Sequence, residues 1–141
     1  MNKQPLFHTG PNLMPAYDGD AGFDLVTAKD HEVEGGSYSL VPCEVRVEFP
    51  DGYWGWITGR SSTIQNFGLL VLPGIIDTGY RGELFVAVLN LNQTPVTVSA
   101  GQRIGQLIMM KNHTQEFDPE QVLALDESTS RGANGFGSSG K

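Results

Sequence analysis

The chain has 141 residues, 39% of them hydrophobic and 18% charged, with a formal net charge of −7. Those figures suit one domain with a buried core and exclude general disorder. The acidic balance argues against direct nucleic-acid binding, because phosphate backbones select basic surfaces, yet a few local cations suffice for a small polyphosphate.

The opening "MNKQPLFHTGP" has no uninterrupted apolar stretch of the kind a signal peptide needs. No apolar run approaches the ~20 residues of a membrane span, so the expectation is a soluble, cytoplasmic protein with no membrane partner. "FDLVTA" (23–28) begins a strand, and Asp24 sits there between apolar neighbours. A carboxylate in that setting needs a basic side chain, backbone donors or a metal-bound water. "YSLVPCEVRVEF" puts Val41, Cys43, Val45, Val47 and Phe49 on one face and Glu44, Arg46 and Glu48 on the other, a strand with one wet side. Cys43 is the sole cysteine, which rules out an intramolecular disulfide or a Cys-based metal cluster and reads as a small buried residue.

"YWGWIT" (53–58) is a further strand, followed by a short helix over Ser61–Asn66 with Ser61 or Ser62 as its N-cap and Gly68 as its stop. "GELFVAVLNL" (82–91), "VTVSAG" (96–101) and "RIGQLIMMKN" (103–112) complete the strand set. Turns are marked by Asp51-Gly52, Thr78-Gly79, "NQTP" (92–95) and Ala100-Gly101. "DPEQVLAL" (118–125) is compatible with a helix start or an edge strand. The expectation is an all-β body over 1–125, a sandwich or barrel with one short helix, and a polar, Gly/Ser-rich arm over 126–141.

Four stretches carry groups suited to chemistry. "GRSS" (59–62) sets Arg60 and the hydroxyls of Ser61 and Ser62 beside a helix start, where unpaired N–H groups attract anions, although Ser also simply caps helices. "GIIDTGYRGEL" (74–84) holds Asp77 at the mouth of a hairpin, placed either to orient a water or to close an Asx turn. "GQRIGQL" (101–107) buries a polar Gln106 in an apolar strand pattern, as a ligand contact or a bulge. The tail "RGANGFGSSGK" (131–141) offers a planar cation, a ring and two hydroxyls on a backbone too poor in apolar surface to fold alone. His8, His31 and His113 stand apart without metal-ligand spacing, and no GxxxxGK[ST] phosphate loop is present.

In order, "AGFDL", "GRSS", "GIIDTGYRGEL", "GQRIGQLI" and "RGANGFGSSG" resemble the five motifs of the homotrimeric dUTPase family, from residue 21 to 140. The resemblance implies a distorted β-barrel or jelly-roll subunit in a homotrimer whose shared active sites draw on all three chains. It implies Mg²⁺-assisted hydrolysis of dUTP to dUMP and pyrophosphate, which limits uracil incorporation into DNA and supplies dUMP for thymidylate. By the same resemblance, Asp77 activates the attacking water and Tyr80 packs under the deoxyribose. Backbone groups around Leu72, Gly74 and Ile76 read uracil, and Arg60, Ser61, Ser62 and Gln106 contact the phosphates. Asp24 supports Mg²⁺ through its waters. The arm is the lid: Phe136 stacks on uracil, Arg131 grips the γ-phosphate, and Gly137, Ser138 and Ser139 close over the chain of phosphates. "GRSS" stands where "PRSG" is frequent, and Asn134 where glycine is frequent.

The same scaffold serves deoxycytidine triphosphate deaminases, which need a glutamate five residues beyond the glycine of the "YRG" turn. Counting from Gly82 reaches Ala87, which has no acid–base group. A regulatory protein that uses the scaffold to bind a partner protein is the alternative from another class, and a purely structural β-sandwich is a third.

Overall fold

The computed structural model describes residues 2–137. In chain order the elements are β1 (Phe7–Thr9), β2 (Phe23–Val26), β3 (His31–Val33), β4 (Tyr38–Glu48), β5 (Tyr53–Thr58), α1 (Ser61–Phe67), β6 (Leu69–Val71), β7 (Gly74–Ile76), β8 (Glu83–Asn90), β9 (Val96–Val98) and β10 (Arg103–Lys111), followed by a 3₁₀ turn at Thr114–Glu116. Two four-stranded sheets are formed, in the orders β1-β4-β8-β6 and β2-β10-β5-β7, with β3-β9 as a separate pair. Every ladder is antiparallel. The all-β expectation with one short helix holds; the ladders leave open edges, so the jelly-roll-like sandwich describes the chain better than a closed barrel.

Alternation decides the long strands. Val41, Cys43, Val45 and Val47 of β4 are buried and pack with Leu84, Val86 and Val88 of β8 against Leu25, Ile57 and Leu107 of the other sheet. Glu44 and Arg46 stay outside. The result is one continuous apolar layer between two sheets, which is what period-2 patterning produces when each sheet has one core face.

Two local features of the ladders position the functional residues. On β10, Arg103 lies opposite Val26 and Gly105 opposite Leu25, so Ile104 is an extra residue, a β-bulge. The buried Thr63 of α1 donates its hydroxyl to the Ile104 carbonyl at 3.0 Å, which ties the helix to that bulge. Between α1 and β8, the chain runs through β6 at the end of one sheet and β7 at the end of the other. Leu72 N–H donates to the Ala87 carbonyl at 2.8 Å at the crossing.

Three local expectations are corrected. The helix N-cap is Arg60, in extended conformation and without a side-chain cap bond, rather than Ser61 or Ser62. Gly68 ends the helix as expected, at φ 66, with its N–H on the Ile64 carbonyl. The 118–125 stretch forms neither helix nor strand; Val122, Leu123 and Leu125 extend into solvent. The short β1, β3, β6 and β7, three residues each, are additions that pairing rather than a long alternating pattern makes into strands. Among the described residues, no helix is long and apolar enough to cross a membrane.

Cys43 is fully buried, with its thiol directed to the Val41 carbonyl. Burial first, and the negative charge of Glu83 second, push its pKa up to about 12. The folded state therefore keeps a proton that the unfolded thiol gives up near pH ~8.5. This contribution is complete below that pH and is lost as pH climbs toward about 12. Native protein at pH 8 is expected to leave a disulfide-type thiol reagent unreacted until denaturant is added. Cys43→Val should flatten part of the fall in stability above pH 9, measured by urea unfolding across the alkaline range; an unchanged slope would contradict this account.

Candidate functional site

The strand order β2-β10-β5 sets three chemically useful positions abreast. Gln106 lies opposite Asp24 on one side and Thr58 on the other. Thr58 is the last residue of β5, so the chain leaves the sheet there and passes through Gly59 and Arg60 into α1. Asp24 and Arg60, 36 positions apart in sequence, consequently meet: Arg60 Nε stands 2.9 Å from Asp24 Oδ1. The second carboxylate oxygen, Oδ2, accepts from Arg103 Nη1 at 3.1 Å. Both the carboxylate and Arg60 are largely shielded, whereas the Arg103 side chain is half exposed.

Gln106 acts with its side-chain amide on the main chain. Its Nε2 donates to the Gly59 carbonyl at 2.9 Å, fixing the exit from β5. Arg60 Nη1 donates to Ser62 Oγ at 3.0 Å, so Ser62 serves as an acceptor for Arg60 instead of capping the helix. Ser61 is exposed at the first helical position and lines, with Gly59 and Arg60, a cleft of about 300 Å³ that extends to Leu69–Val71. Arg103 and Gln106 are three residues apart, which in a regular strand places side chains on opposite faces. The bulge at Ile104 adds the residue that turns both toward the same corner.

The sequence pattern demands a partner for Asp24 without naming one. The structure supplies two. Arg103 lies inside the fourth motif stretch, but nothing in local spacing links it to a residue 79 positions away.

Asp77 and Tyr80 stand elsewhere. Ile76 is opposite Gly55, so Asp77 is level with Trp54, at the start of β5. Arg60 lies beyond its other end, about 20 Å away at ~3.3 Å per residue. The turn between Asp77 and β8 is heavily braced. Tyr80 N–H donates to the Asp77 carbonyl. Thr78 Oγ1 donates to the Tyr53 carbonyl, and Arg81 Nη1 to the carbonyls of Thr78 and Tyr80. Arg46 Nε in turn holds the Arg81 carbonyl at 2.6 Å. Tyr80 Oη donates to the Glu83 carbonyl at 2.8 Å, laying the ring over Gly82, where a Cβ would come within 2.3 Å of the phenol oxygen. The Asp77 side chain is exposed. It borders a cleft of about 260 Å³ with Leu40, Ile75, Tyr80, Glu83 and Phe85.

The arm forms a third group. Arg131 Nε donates to the Asn134 carbonyl at 2.7 Å, and Phe136 is completely exposed. Gly137, at φ 88, is the last described residue. Ser138 and Ser139 lie outside the described residues. Gly74 and Ile76 lie on β7, opposite Ile57 and Gly55, and Leu72 at the crossing.

A metal needs several carboxylate, imidazole or thiolate donors in one place. Among the described residues, no group of three or more such side chains is suitably placed. Asp24 already accepts from two guanidiniums, so it does not suit a directly bound ion; its remaining lone pairs can accept from water.

These features define an all-β scaffold presenting an anchored cationic corner at one end of a strand and a carboxylate on a braced turn at the other. A protein-family model described as dUTPase matches residues 9–140. The deoxyuridine 5'-triphosphate nucleotidohydrolase of Mycolicibacterium gilvum (strain PYR-GCK) is 42% identical over 132 residues, covering 89% of this chain and 84% of that protein. The solved EIAV dUTPase is 32% identical, with a TM-score of 0.73 over 86% of this chain and all of that one (100%). The Staphylococcus bacteriophage 80alpha dUTPase solved with dUPNHPP has a TM-score of 0.87 over 99% of this chain and 100% of its own, at 24% identity, a likeness of fold. The chain belongs to the dUTPase family.

Gly22, just ahead of the strand that carries Asp24, illustrates how tightly the corner is built. A Cβ there would lie 2.9 Å from the Leu107 carbonyl, 3.0 Å from Ile108 Cγ1 and 3.1 Å from Gln106 Oε1. Gly22→Ala should therefore push β2 off β10 and destabilise the fold by about 1–3 kcal/mol, the usual cost of overpacking. Urea unfolding of the variant measures this, and wild-type stability would show that β2 can yield freely.

Proposed function

We propose that this chain hydrolyses dUTP to dUMP and pyrophosphate, with water attacking the α-phosphorus in line and Asp77 holding and activating that water. The observation that carries the reading is the pairing of an exposed carboxylate on a turn fixed by six hydrogen bonds with a separately anchored arginine corner. A general base works when its position is fixed and its carboxylate is free, and the turn provides both.

Base recognition falls to the main chain. β6 and β7 are each the last strand of a sheet, so their outer edges carry no strand partner among the described residues. Unpaired N–H and C=O groups on such an edge are natural partners for the hydrogen-bonding edge of uracil. Leu72, Gly74 and Ile76 belong to the segment that crosses between these two edges, where the Leu72 N–H is already given to the Ala87 carbonyl. Tyr80, pinned by its hydroxyl over Gly82, presents a ring that packs against deoxyribose and leaves no room for a 2′-hydroxyl. Ala87 sits on β8 opposite Leu40 and brings only a methyl group, which leaves a deaminase without its acid–base residue.

Arg60, Ser61, Ser62 and Gln106 form the corner for the phosphate chain. Fixed positive charge there stabilises the pyrophosphate as it leaves. A Mg²⁺ ion carried by the triphosphate would offset charge on the phosphates, and Asp24, whose remaining lone pairs can accept from water, would hold its waters. The arm acts as the lid, with Phe136 on the base and Arg131, Gly137, Ser138 and Ser139 on the phosphates.

Asp77 and Arg60 lie at opposite ends of β5 and border different clefts, so the complete site requires the Asp77 turn of one chain and the Arg60 corner of another. The surface fits such an assembly. Opposite pairs Tyr38–Leu89, Leu40–Ala87 and Pro42–Phe85, with Leu70 beside Leu89, give the outer face of the first sheet an apolar covering. Ile75 adds to it at 63% exposure. A contiguous apolar face of this kind marks a contact surface, and a homotrimer with shared active sites is the reading adopted.

Purified protein with Mg²⁺ should release pyrophosphate from dUTP but not from dCTP, dTTP or UTP, and no ammonia from dCTP. Ammonia would move it to the deaminase branch; inactivity on all four would favour the regulatory alternative. Asp77→Asn should lower turnover by roughly 10²–10⁴-fold with folding intact, and near-normal turnover would remove Asp77 as the base. Deleting residues 131–141 should sharply lower catalysis at an unchanged melting temperature, since the described part of that arm is outside the core. A collapsed melting temperature would contradict the lid assignment.

A further inference from the structure

We infer that Arg103 is a positioning residue that acts through Asp24: it neutralises the carboxylate so that Arg60 can present net positive charge to the phosphate chain. This rests on the dUTP reading above, and concerns how its phosphate corner is made competent.

The geometry gives each group a defined task. Arg60 spends Nε on Asp24 Oδ1 and Nη1 on Ser62 Oγ, so its guanidinium plane is fixed at two points. That anchor comes with a difficulty. A carboxylate 2.9 Å from Arg60 cancels its charge, and the Arg60–Asp24 pair alone sums to zero. A neutral pair with an open carboxylate oxygen repels phosphate oxygens as much as it attracts them. Arg103 Nη1 occupies that second oxygen at 3.1 Å, and the three side chains then sum to +1 (two arginines less one aspartate). The half-exposed Arg103 holds the outer side of Asp24, and the better-shielded Arg60 keeps the inner side.

The fold gives this arrangement a single source. β10 holds Arg60 twice, through Arg103 and Asp24 at the side chain and through Gln106 and the Gly59 carbonyl at the main chain. The bulge at Ile104 lets residues three apart do both, and Thr63 locks the helix after Arg60 to that bulge. Arg103 touches no other described carboxylate among the ion pairs.

Acting through Asp24 differs measurably from touching phosphate directly. The test is a double-mutant cycle with Arg103→Gln and Asp24→Asn, measuring calorimetric binding of dUMP and of an α,β-imido analogue of dUTP, with chelator present to exclude Mg²⁺. With Asp24 in place, Arg103→Gln should weaken analogue binding about tenfold and dUMP binding less, because the lost charge counts against more phosphates. In the Asp24→Asn background the same substitution should cost under about threefold, since the half-exposed Arg103 is then no longer held at the corner and its charge is screened by solvent. Arg103→Lys should recover part of the loss when Asp24 is present, as a cation of different shape. Equal losses in both backgrounds would overturn the inference in favour of a direct contact. Equal losses for dUMP and the analogue, or a parallel fall in melting temperature, would overturn it in favour of a structural role. Wild-type protein that neither binds the analogue nor hydrolyses dUTP would instead remove the dUTP reading itself, whereas active wild type with an indistinguishable Arg103→Gln variant would remove only this inference.

Discussion

The cross-strand row Asp24–Gln106–Thr58 is the constraint on which the Arg60 corner depends. Antiparallel pairing of β2, β10 and β5 puts a carboxylate, an amide and the end of a strand at one level. From there the chain has only Gly59 before Arg60, so the guanidinium has little choice of where to reach. A slip of one residue on β10 would reverse the faces of its side chains and scatter the group. The bulge at Ile104 fixes that register, and the Thr63 hydroxyl on the freed carbonyl secures the bulge.

The second corner follows a different logic. Around Asp77 the fold invests hydrogen bonds from two arginines, a threonine and a tyrosine in backbone carbonyls. None of these goes to the Asp77 carboxylate. The scaffold thus fixes the turn and leaves the side chain exposed. At the Arg60 corner the opposite holds, and charged side chains fix one another. On the proposed function, groups that bind need orientation and a group that handles a water needs access, and the two ends of β5 would meet these needs separately.

How much of this was legible in the sequence varies with the length of each pattern. β4, β5, β8 and β10 show through because their alternation runs over enough residues to specify a face. β1, β3, β6 and β7 have three residues each, and pairing rather than pattern makes them strands. The helix body and its Gly68 stop were readable, but not its cap. Arg60 takes that position because its extended backbone leads out of β5 and its side chain is drawn to Asp24, contacts that no local motif contains. The candidate site residues were all named from their chemistry and from the family resemblance, with Arg103 the omission. Their separation into two corners depends on strand register, which the sequence does not display. The 118–125 stretch kept its apolar residues but found no place in this chain's own core, so its pattern implied an order the single chain does not supply.

On the proposed recognition of uracil by main-chain groups, the segment that crosses from one sheet edge to the other has an evolutionary consequence. Main-chain amides are the same at every residue but proline, so a recognition surface made of them is largely indifferent to point substitution. Exposed side chains of this stretch, such as Leu70 and Ile75, can drift to suit a neighbouring subunit while the pattern of donors and acceptors persists; Leu69 is held in the core. What such a surface cannot absorb is a change of length, since one inserted or deleted residue displaces every group after it. On that proposal selectivity is stored in spacing, and lineages that share it should vary in the segment's letters far more readily than in its number of residues.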